Sequence, residues 1–262
     1  MKAGFYQLNP TFGDKELNLT KVRNALQEKS FDLLVLPEFF ATGYQFTSHN
    51  EVADLAEEIP HGNTTEALLE ISKEKNAYIV AGLPERDGDK YYNSAVLTGP
   101  DGFIGCYRKT HLFFEETLYF TPGDTGFKVW NTDIGKIGIM ICFDWYYPES
   151  MRTLAIAGAE VIAHPSNLVL PFCPDSMPVR CLENMAFAIT ANRIGTEQRN
   201  GKQPLTFIGK SEIVSPKGEI LVRAPENDEA LMTAEIRPEE AQDKRLNPFN
   251  NLLQDRRPEH YS

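Results

Sequence analysis

No stretch of the chain approaches the roughly 18 uncharged apolar residues that a membrane span needs. The first ten residues, Met1 to Pro10, hold too short an apolar run for a secretory signal. Both point to a cytoplasmic location, with no membrane partner. Cysteine is scarce: Cys106, Cys142, Cys173 and Cys181 are the four in 262 residues, and no Cys-x-x-Cys pair occurs. That excludes a disulfide scaffold and predicts reduced thiols, each to be judged singly. The five histidines, at 49, 61, 111, 164 and 260, are never three to five residues apart. Local zinc-ligand spacing is therefore lacking, and no metal or cofactor is expected. Positive charge is also in short supply, 26 Lys and Arg against 37 Asp and Glu, for a net charge of −11 and a pI near 5.0. Such a surface argues against binding nucleic acid as the main task. Gly209-Lys210-Ser211 resembles the end of a phosphate loop, but Pro204 stands where its first glycine belongs. No Gly-x-Ser-x-Gly elbow and no Gly-x-Gly-x-x-Gly fingerprint is found.

What is present is globular in character, with 42 % hydrophobic and 24 % charged residues, so whole-chain disorder and coiled coil are excluded. Short apolar runs alternate with helical patterns. Strands are predicted at 2–8, 31–36, 77–83, 92–97, 103–107, 128–130, 137–142, 160–163, 208–214, 219–222 and 230–236. Helices are predicted from an Asp14 cap to about Lys29, from a Thr64 or Thr65 cap to Lys75, from Pro148 to about Ala157, and over the first part of 179–191. Gly99-Pro100-Asp101-Gly102 marks a hairpin turn, and Ser215-Pro216-Lys217-Gly218 a second. With no linker and no repeat, one α/β domain spanning 1–262 fits best. Its polar last twenty or so residues, about 240–262, are either an arm that packs on a partner or a solvated tail.

Three strand ends carry unusual chemistry. Leu34-Val35-Leu36-Pro37-Glu38-Phe39-Phe40 places a carboxylate between apolar residues, where desolvation raises its pKa towards that of a general base. Cys106-Tyr107-Arg108-Lys109-Thr110-His111 ends a strand in two cations. In Ile137-Gly138-Ile139-Met140-Ile141-Cys142-Phe143-Asp144, a buried strand ends in a thiol a few residues before a helix, at the carboxyl end of the sheet where a nucleophile belongs. Taken singly, each has a plain structural reading: a surface Glu, a solvated turn, a small buried hydrophobe. Together, Glu38, Lys109 and Cys142 supply the base, the cation and the thiol that nucleophilic thiol chemistry requires. The other three cysteines are read as small hydrophobes.

At these residues the sequence resembles the nitrilase superfamily of carbon–nitrogen hydrolases. The family's motifs stand here as Leu36-Pro37-Glu38, Arg108-Lys109-Thr110-His111-Leu112 and Cys142-Phe143-Asp144-Trp145-Tyr146-Tyr147-Pro148-Glu149. Tyr92-Asn93-Ser94-Ala95, Pro122-Gly123-Asp124, His164-Pro165-Ser166-Asn167 and Arg180 with Glu183-Asn184 also match. The resemblance implies a four-layer αββα sandwich, usually paired across helices near the active site into a homodimer or larger assembly. It implies Glu38 as general base, Cys142 as nucleophile, and Lys109 with the Phe143 N–H as oxyanion donors. A second glutamate in the loop after the lysine is also implied, and Glu116 is preferred over Glu115.

Cys142-Phe143-Asp144 resembles the amidase and carbamoylase side of the family, where classical nitrilases read Cys-Trp-Glu. The expectation is therefore a hydrolase of a small aliphatic amide or N-carbamoyl compound that proceeds through a thioester and releases ammonia. Hydrolysis of small aliphatic nitriles is the alternative; acyl transfer and a catalytically idle binding subunit are the rivals. Expected substrate contacts are Phe143, Trp145, Asn167 and Tyr44, with Phe40, Phe113, Phe114 and Phe172 as further candidates to wall an apolar pocket.

Overall fold

In β1 (Lys2–Gln7) alternate side chains leave on opposite faces. Ala3 and Phe5 join one cluster of buried residues, Tyr6 and the following Leu8 another. The same split runs through β2 (Leu33–Val35), where Leu33 and Val35 face one way and Leu34 the other. In the computed structural model, which describes residues 1–261, these two faces become the two sides of a sheet. That sheet has the order β14-β1-β2-β3-β4-β5, completed by β3 (Tyr78–Asp87), β4 (Lys90–Gly99), β5 (Gly102–Arg108) and β14 (Ala230–Glu235). Helices α1 (Lys15–Leu26) and α3 (Asn63–Lys75) cover its outer face, placing Val22, Leu26, Leu68 and Ile71 against Leu34, Ile79 and Ala81.

A second six-stranded sheet repeats the plan in the order β13-β12-β9-β8-β7-β6. Its strands are β6 (Val129–Thr132), β7 (Gly135–Ile139), β8 (Val161–Pro165), β9 (Phe187–Ala191), β12 (Glu212–Val214) and β13 (Ile220–Arg223). Between β9 and β12 lies a two-stranded ribbon of β10 (Thr196–Glu197) and β11 (Leu205–Thr206). The two large sheets pack face to face, Phe5, Val35 and Val80 meeting Ile139, Ala163 and Ile189 in one core. Helices α5 (Pro148–Ile156) and α6 (Cys173–Asn184) bury Met151, Leu154, Met177 and Cys181 on the far side. The result is the αββα sandwich.

Connectivity decides where the site lies. Strands β1, β2 and β3 are parallel, as are β7, β8 and β9. Because β4 and β5 each reverse direction, β5 runs parallel to β3. The exits of β2, β5, β7 and β8 therefore carry Glu38, Lys109, Cys142 and Asn167, each at the carboxyl end of its strand, where parallel sheets build sites.

Several local expectations are corrected. Helix α1 has its Asp14 cap, which accepts from the Leu17 N–H, but it ends at Leu26, short of Lys29. Helix α3 is preceded by Gly62, not by Thr64 or Thr65, which are buried inside its first turn. The Thr64 N–H and hydroxyl instead donate to Glu57. Helix α2 (His49–Leu55) was not anticipated, although Ser48 with Glu51 is the capping-box pattern: Ser48 Oγ accepts from the Glu51 N–H, and Glu51 accepts from the Thr47 N–H. Helix α6 starts at Cys173, ahead of the expected 179, and ends where Met185 turns left-handed, so 187–191 is a strand. Strand β12 begins only at Glu212, because Gly209 and Lys210 both adopt positive φ.

Towards the C-terminus, β15 (Arg245–Asn247) and β16 (Asn250–Asn251) form a small hairpin. It is anchored by Lys244, which donates to the carbonyls of Asn184 and Met185 at the end of α6, while Phe249 at its tip is 91 % exposed. Among the described residues no helix is long and apolar enough to cross a membrane.

Candidate active site

Glu38 follows β2 by way of Pro37, and the chain reverses at once because Phe39 adopts φ 51°. That reversal lies against β3 at Gly82, where a Cβ would come within 2.5 Å of the Glu38 Cα. Only glycine lets the two backbones pass so closely. Lys109 extends β5 and is held by backbone bonds on both sides, its N–H donating to Asn93 and its carbonyl accepting from Gly123. Gly123 faces an equally tight approach, with a Cβ 2.1 Å from the Arg108 carbonyl oxygen.

Both side chains are fully buried, and the ammonium is shared. Lys109 Nζ donates to Glu38 Oε1 at 2.7 Å and to Glu116 Oε1 and Oε2 at 2.8 and 2.9 Å. Asn93 Nδ2 donates to Glu38 Oε1 at 2.6 Å and to Glu116 Oε2 at 3.3 Å. The Tyr44 hydroxyl donates to Glu116 Oε1 at 2.6 Å. Tyr44 is itself held from behind, since Glu197 accepts from the Tyr44 and Gln45 N–H groups and pairs with the buried Arg193. Glu116 opens the short helix α4 (Glu116–Tyr119); its neighbour Glu115 instead pairs with Lys202 at 2.8 Å, away from the cluster.

Two carboxylates therefore compete for one cation. Glu116 takes it with both oxygens, and Glu38 with one. Burial pushes the Glu38 carboxyl up and the Glu116 charge adds to this, while Lys109 pulls it down, leaving it at about 7. Burial by itself would lower the Lys109 ammonium, but the two carboxylates outweigh it and hold the lysine charged. The second Glu38 oxygen, Oε2, is buried with no hydrogen-bond partner among the described residues.

Across from this cluster, β7 ends at Ile139 and the chain enters a one-turn 3₁₀ helix, Cys142–Tyr146, with Cys142 at φ 41°. For a non-glycine residue this left-handed conformation costs about 1–3 kcal/mol, so its surroundings must enforce it. Asp144 is one such constraint. Its carboxylate accepts from the Ile141 N–H at 2.9 Å, the Tyr107 hydroxyl at 2.8 Å and the His111 N–H at 3.1 Å, and it bonds His111 Nδ1 at 2.7 Å. The turn that carries Cys142 is thus tied to the segment that carries Lys109. The Cys142 thiol is pushed well up by burial first and by the Glu38 charge second, and drawn down by Lys109 and the Asn167 N–H. In the resting protein it holds its proton.

Of the expected substrate contacts, Phe143, Trp145 and Asn167 line the small opening beside Cys142, together with Phe113, Leu168 and Leu170. Asn167 Nδ2 donates to the Glu38 carbonyl at 2.8 Å, and its Oδ1 is buried without a partner among the described residues. Tyr44 lies behind the charge cluster, at Glu116. Phe40 does not wall the pocket: it points into the core beneath α1 and α3, because the reversal at Phe39 turns it outward from the sandwich. Phe114 and Phe172 are exposed, at 60 % and 57 %. Cys106, Cys173 and Cys181 are free thiols pushed up by burial. Asn93 and Asp144 stand within the family's motifs, but nothing in a linear sequence says which side chains a turn will gather.

The αββα sandwich thus carries a glutamate, a lysine and a cysteine at its strand ends, and comparison with known proteins identifies the family. The profile of the Carbon-nitrogen hydrolase family matches residues 2–246. The chain is 48 % identical to a nitrilase of Pyrococcus abyssi, covering 100 % of this chain and 99 % of that one. It is 35 % identical to an (R)-stereoselective amidase of a Pseudomonas species, over 86 % of this chain and 81 % of the other. Among solved structures, a carbon-nitrogen hydrolase from Helicobacter pylori G27 superposes with a TM-score of 0.90 at 30 % identity, covering 100 % and 96 % of the two chains. The chain belongs to the carbon–nitrogen hydrolase family. It is an enzyme of the amidase and nitrilase type, a family that acts on small molecules.

Proposed function

We propose that the protein hydrolyses a small, uncharged aliphatic amide or N-carbamoyl amine through a Cys142 thioester. The observation that carries this reading is the divided environment of Glu38. One oxygen is fixed by Lys109 and Asn93, while the other is buried, unpartnered and free to receive a proton. A carboxyl poised at about 7 is close to the optimum for a general base at neutral pH.

Glu38 takes the thiol proton as Cys142 Sγ bonds to the carbonyl carbon, and the carbonyl π pair moves to oxygen. Lys109 Nζ and the Phe143 N–H stabilise that oxyanion. Glu38 then protonates the departing nitrogen, ammonia leaves, and water activated by Glu38 cleaves the thioester, returning the proton to sulfur. Glu116 holds the Lys109 ammonium in place and, with Glu38, keeps it charged, while Tyr44 and Asn93 donate to the Glu116 carboxylate.

The wall beside Cys142 favours a neutral substrate. Trp145, Leu168, Val169 and Leu170 are apolar, and among the described residues no charged side chain lines the opening. The nearest arginine of α6, Arg180, is engaged with the Trp145 carbonyl and Glu183. A substrate carboxylate would find no cation there, which disfavours N-carbamoyl amino acids. A small aliphatic nitrile is the second reading, favoured by the 48 % identical relative named as a nitrilase.

The test is ammonia release from aliphatic amides, N-carbamoyl amines and short nitriles, with Cys142→Ala as control. Cys142-dependent release from uncharged members is expected. Release confined to N-carbamoyl amino acids would overturn the substrate class, and no release with an inert thiol would favour the idle binding subunit. We also propose self-association through α5 and α6, whose outer faces leave Ile156, Val179 and Leu182 exposed. A dimer or larger species by light scattering is expected; a monomer would remove this part.

A further inference from the structure

His164 belongs to a sequence motif but to none of the steps above. It lies on β8, the neighbour of the strand that delivers Cys142, and is fully buried. Its Nε2 is 2.9 Å from the carbonyl oxygen of Cys142, and its Nδ1 is 3.0 Å from Thr190 Oγ1, directly across on β9.

The partners settle the tautomer. A peptide carbonyl can only accept, so Nε2 must carry the hydrogen. Burial drives the imidazole down to about 4, with the Cys142 carbonyl and Asp144 opposing and Lys109 assisting, so the ring is neutral and Nδ1 is bare. Thr190 Oγ1 therefore donates to Nδ1. Ser166 Oγ donates to the His164 carbonyl at 3.2 Å and accepts a share of the Nε2 hydrogen at 3.1 Å.

The carbonyl that His164 holds is not an arbitrary one. The Cys142 C=O and the Phe143 N–H belong to the same planar trans peptide and point in opposite directions. Fixing the oxygen on His164 fixes where the Phe143 N–H points. A donor on the oxygen also polarises the peptide and strengthens the N–H as a donor. Restraint matters here because Cys142 sits at φ 41°, a conformation its surroundings must enforce, and the following peptide turns about the Cys142 Cα–C bond, so a hydrogen bond on its oxygen fixes the direction of the N–H.

We propose that His164 is a positioning residue for the oxyanion hole, acting through the Cys142–Phe143 peptide, with Thr190 setting its tautomer. This rests on the reading of the Phe143 N–H as an oxyanion donor, and the test separates the two. The probe is butyraldehyde, a reversible inhibitor of thiol enzymes. Cys142 sulfur bonds to its carbonyl carbon, the π pair moves to oxygen, and the thiol proton is transferred within the site, so nothing is released and the adduct oxygen occupies the hole. Methyl methanethiosulfonate, which has no carbonyl, reports the reactivity of Cys142 alone.

In His164→Leu, butyraldehyde affinity and kcat are each expected to fall about ten- to hundredfold, somewhat less than complete loss of an oxyanion donor. KM and the rate of methyl methanethiosulfonate labelling should change less than about threefold. His164→Gln, whose amide reaches the position of Nε2, should restore most of the loss. Unchanged aldehyde affinity in His164→Leu, a parallel loss of thiol labelling, or no rescue by Gln would overturn the proposal. If His164→Leu does not fold, Thr190→Val decides: aldehyde affinity weakened several-fold supports the proposal and an unchanged value overturns it. Failure of wild-type protein to bind butyraldehyde would remove the Phe143 N–H as a donor and the proposal with it. Failure to find a hydrolysed substrate would leave the aldehyde comparison intact.

Discussion

The two sides of the site are held by different physics. At the end of the first sheet, Glu38, Lys109 and Glu116 are fixed by one another: two buried carboxyls share one ammonium, one more negative charge than it can neutralise when both are ionised. On the second sheet, Cys142 and the Phe143 N–H are fixed by backbone conformation, a left-handed turn pinned by Asp144 and His164. The charged side can be weakened by altering one member of a pair, and its stability depends on pH. The backbone side keeps its charge state but depends on a conformation that few residues tolerate. The difference suits the roles proposed for them: a base needs a pKa tuned by neighbours, a nucleophile and its oxyanion donor need position.

The largest expected effect breaks the backbone side. Cys142→Ala should lower turnover by on the order of 10⁴-fold or more, with the unfolding midpoint preserved, as steady-state assays and thermal denaturation would show. Residual turnover well above that level would assign the nucleophile elsewhere.

On the charged side, Glu38→Gln and Lys109→Ala should separate activity from stability. Both should cost turnover about 10²- to 10⁴-fold. Glu38→Gln removes the surplus negative charge and is expected to leave the unfolding free energy unchanged or higher. Lys109→Ala leaves two buried carboxylates facing each other and should cost about 3–5 kcal/mol in denaturant unfolding. Equal destabilisation by the two would mean that the cluster is not overcharged.

The pH dependence sharpens the same point. Glu38 must be ionised to act, so kcat/KM should rise with pH through about 7. Its folded-state value lies above the ordinary 4.5, so the stability it contributes is fully present below that and is lost as pH rises through about 7. Activity and this part of the stability therefore move in opposite directions over one window. A wild-type activity profile with no acid limb near 7, or one retained in Glu38→Gln, would remove Glu38 as the base.

Gly82→Ala probes how the charged side is seated. The added Cβ meets the Glu38 backbone, which has no flexible end to move aside, and about a tenfold fall in kcat is expected with Cys142 labelling unchanged. The smallest effect belongs to the opening: Leu170→Ala, trimming a half-exposed side chain, should raise KM a few-fold without touching kcat. A change in kcat there would show that the wall does more than bind.

Much of this architecture was legible in the chain itself. Continuous apolar runs marked β2 and β7 because strands buried on both faces need no polar alternation. Glu38, Lys109 and Cys142 stood out because a carboxylate, a cation and a thiol at the ends of such strands conflict with their surroundings unless they serve chemistry. The helix capped by Ser48 carries its signal in the Ser48–Glu51 spacing, whereas Thr64 and Thr65 are good capping residues that the fold buries inside α3 instead. Phe40 looks no different from Trp145 in sequence, and only the turn at Phe39 sends one to the core and leaves the other at the opening.

The sequence by itself determined most of the elements, the family and the three side chains proposed to react, because periodicity and residue chemistry are local properties. Tertiary structure decided which glutamate shares the lysine, that Asn93 bridges both carboxylates, and that His164 bonds the carbonyl of Cys142. Those facts depend on residues tens of positions apart meeting at the shared end of two sheets, where burial removes water and makes every unpaired or shared hydrogen bond count.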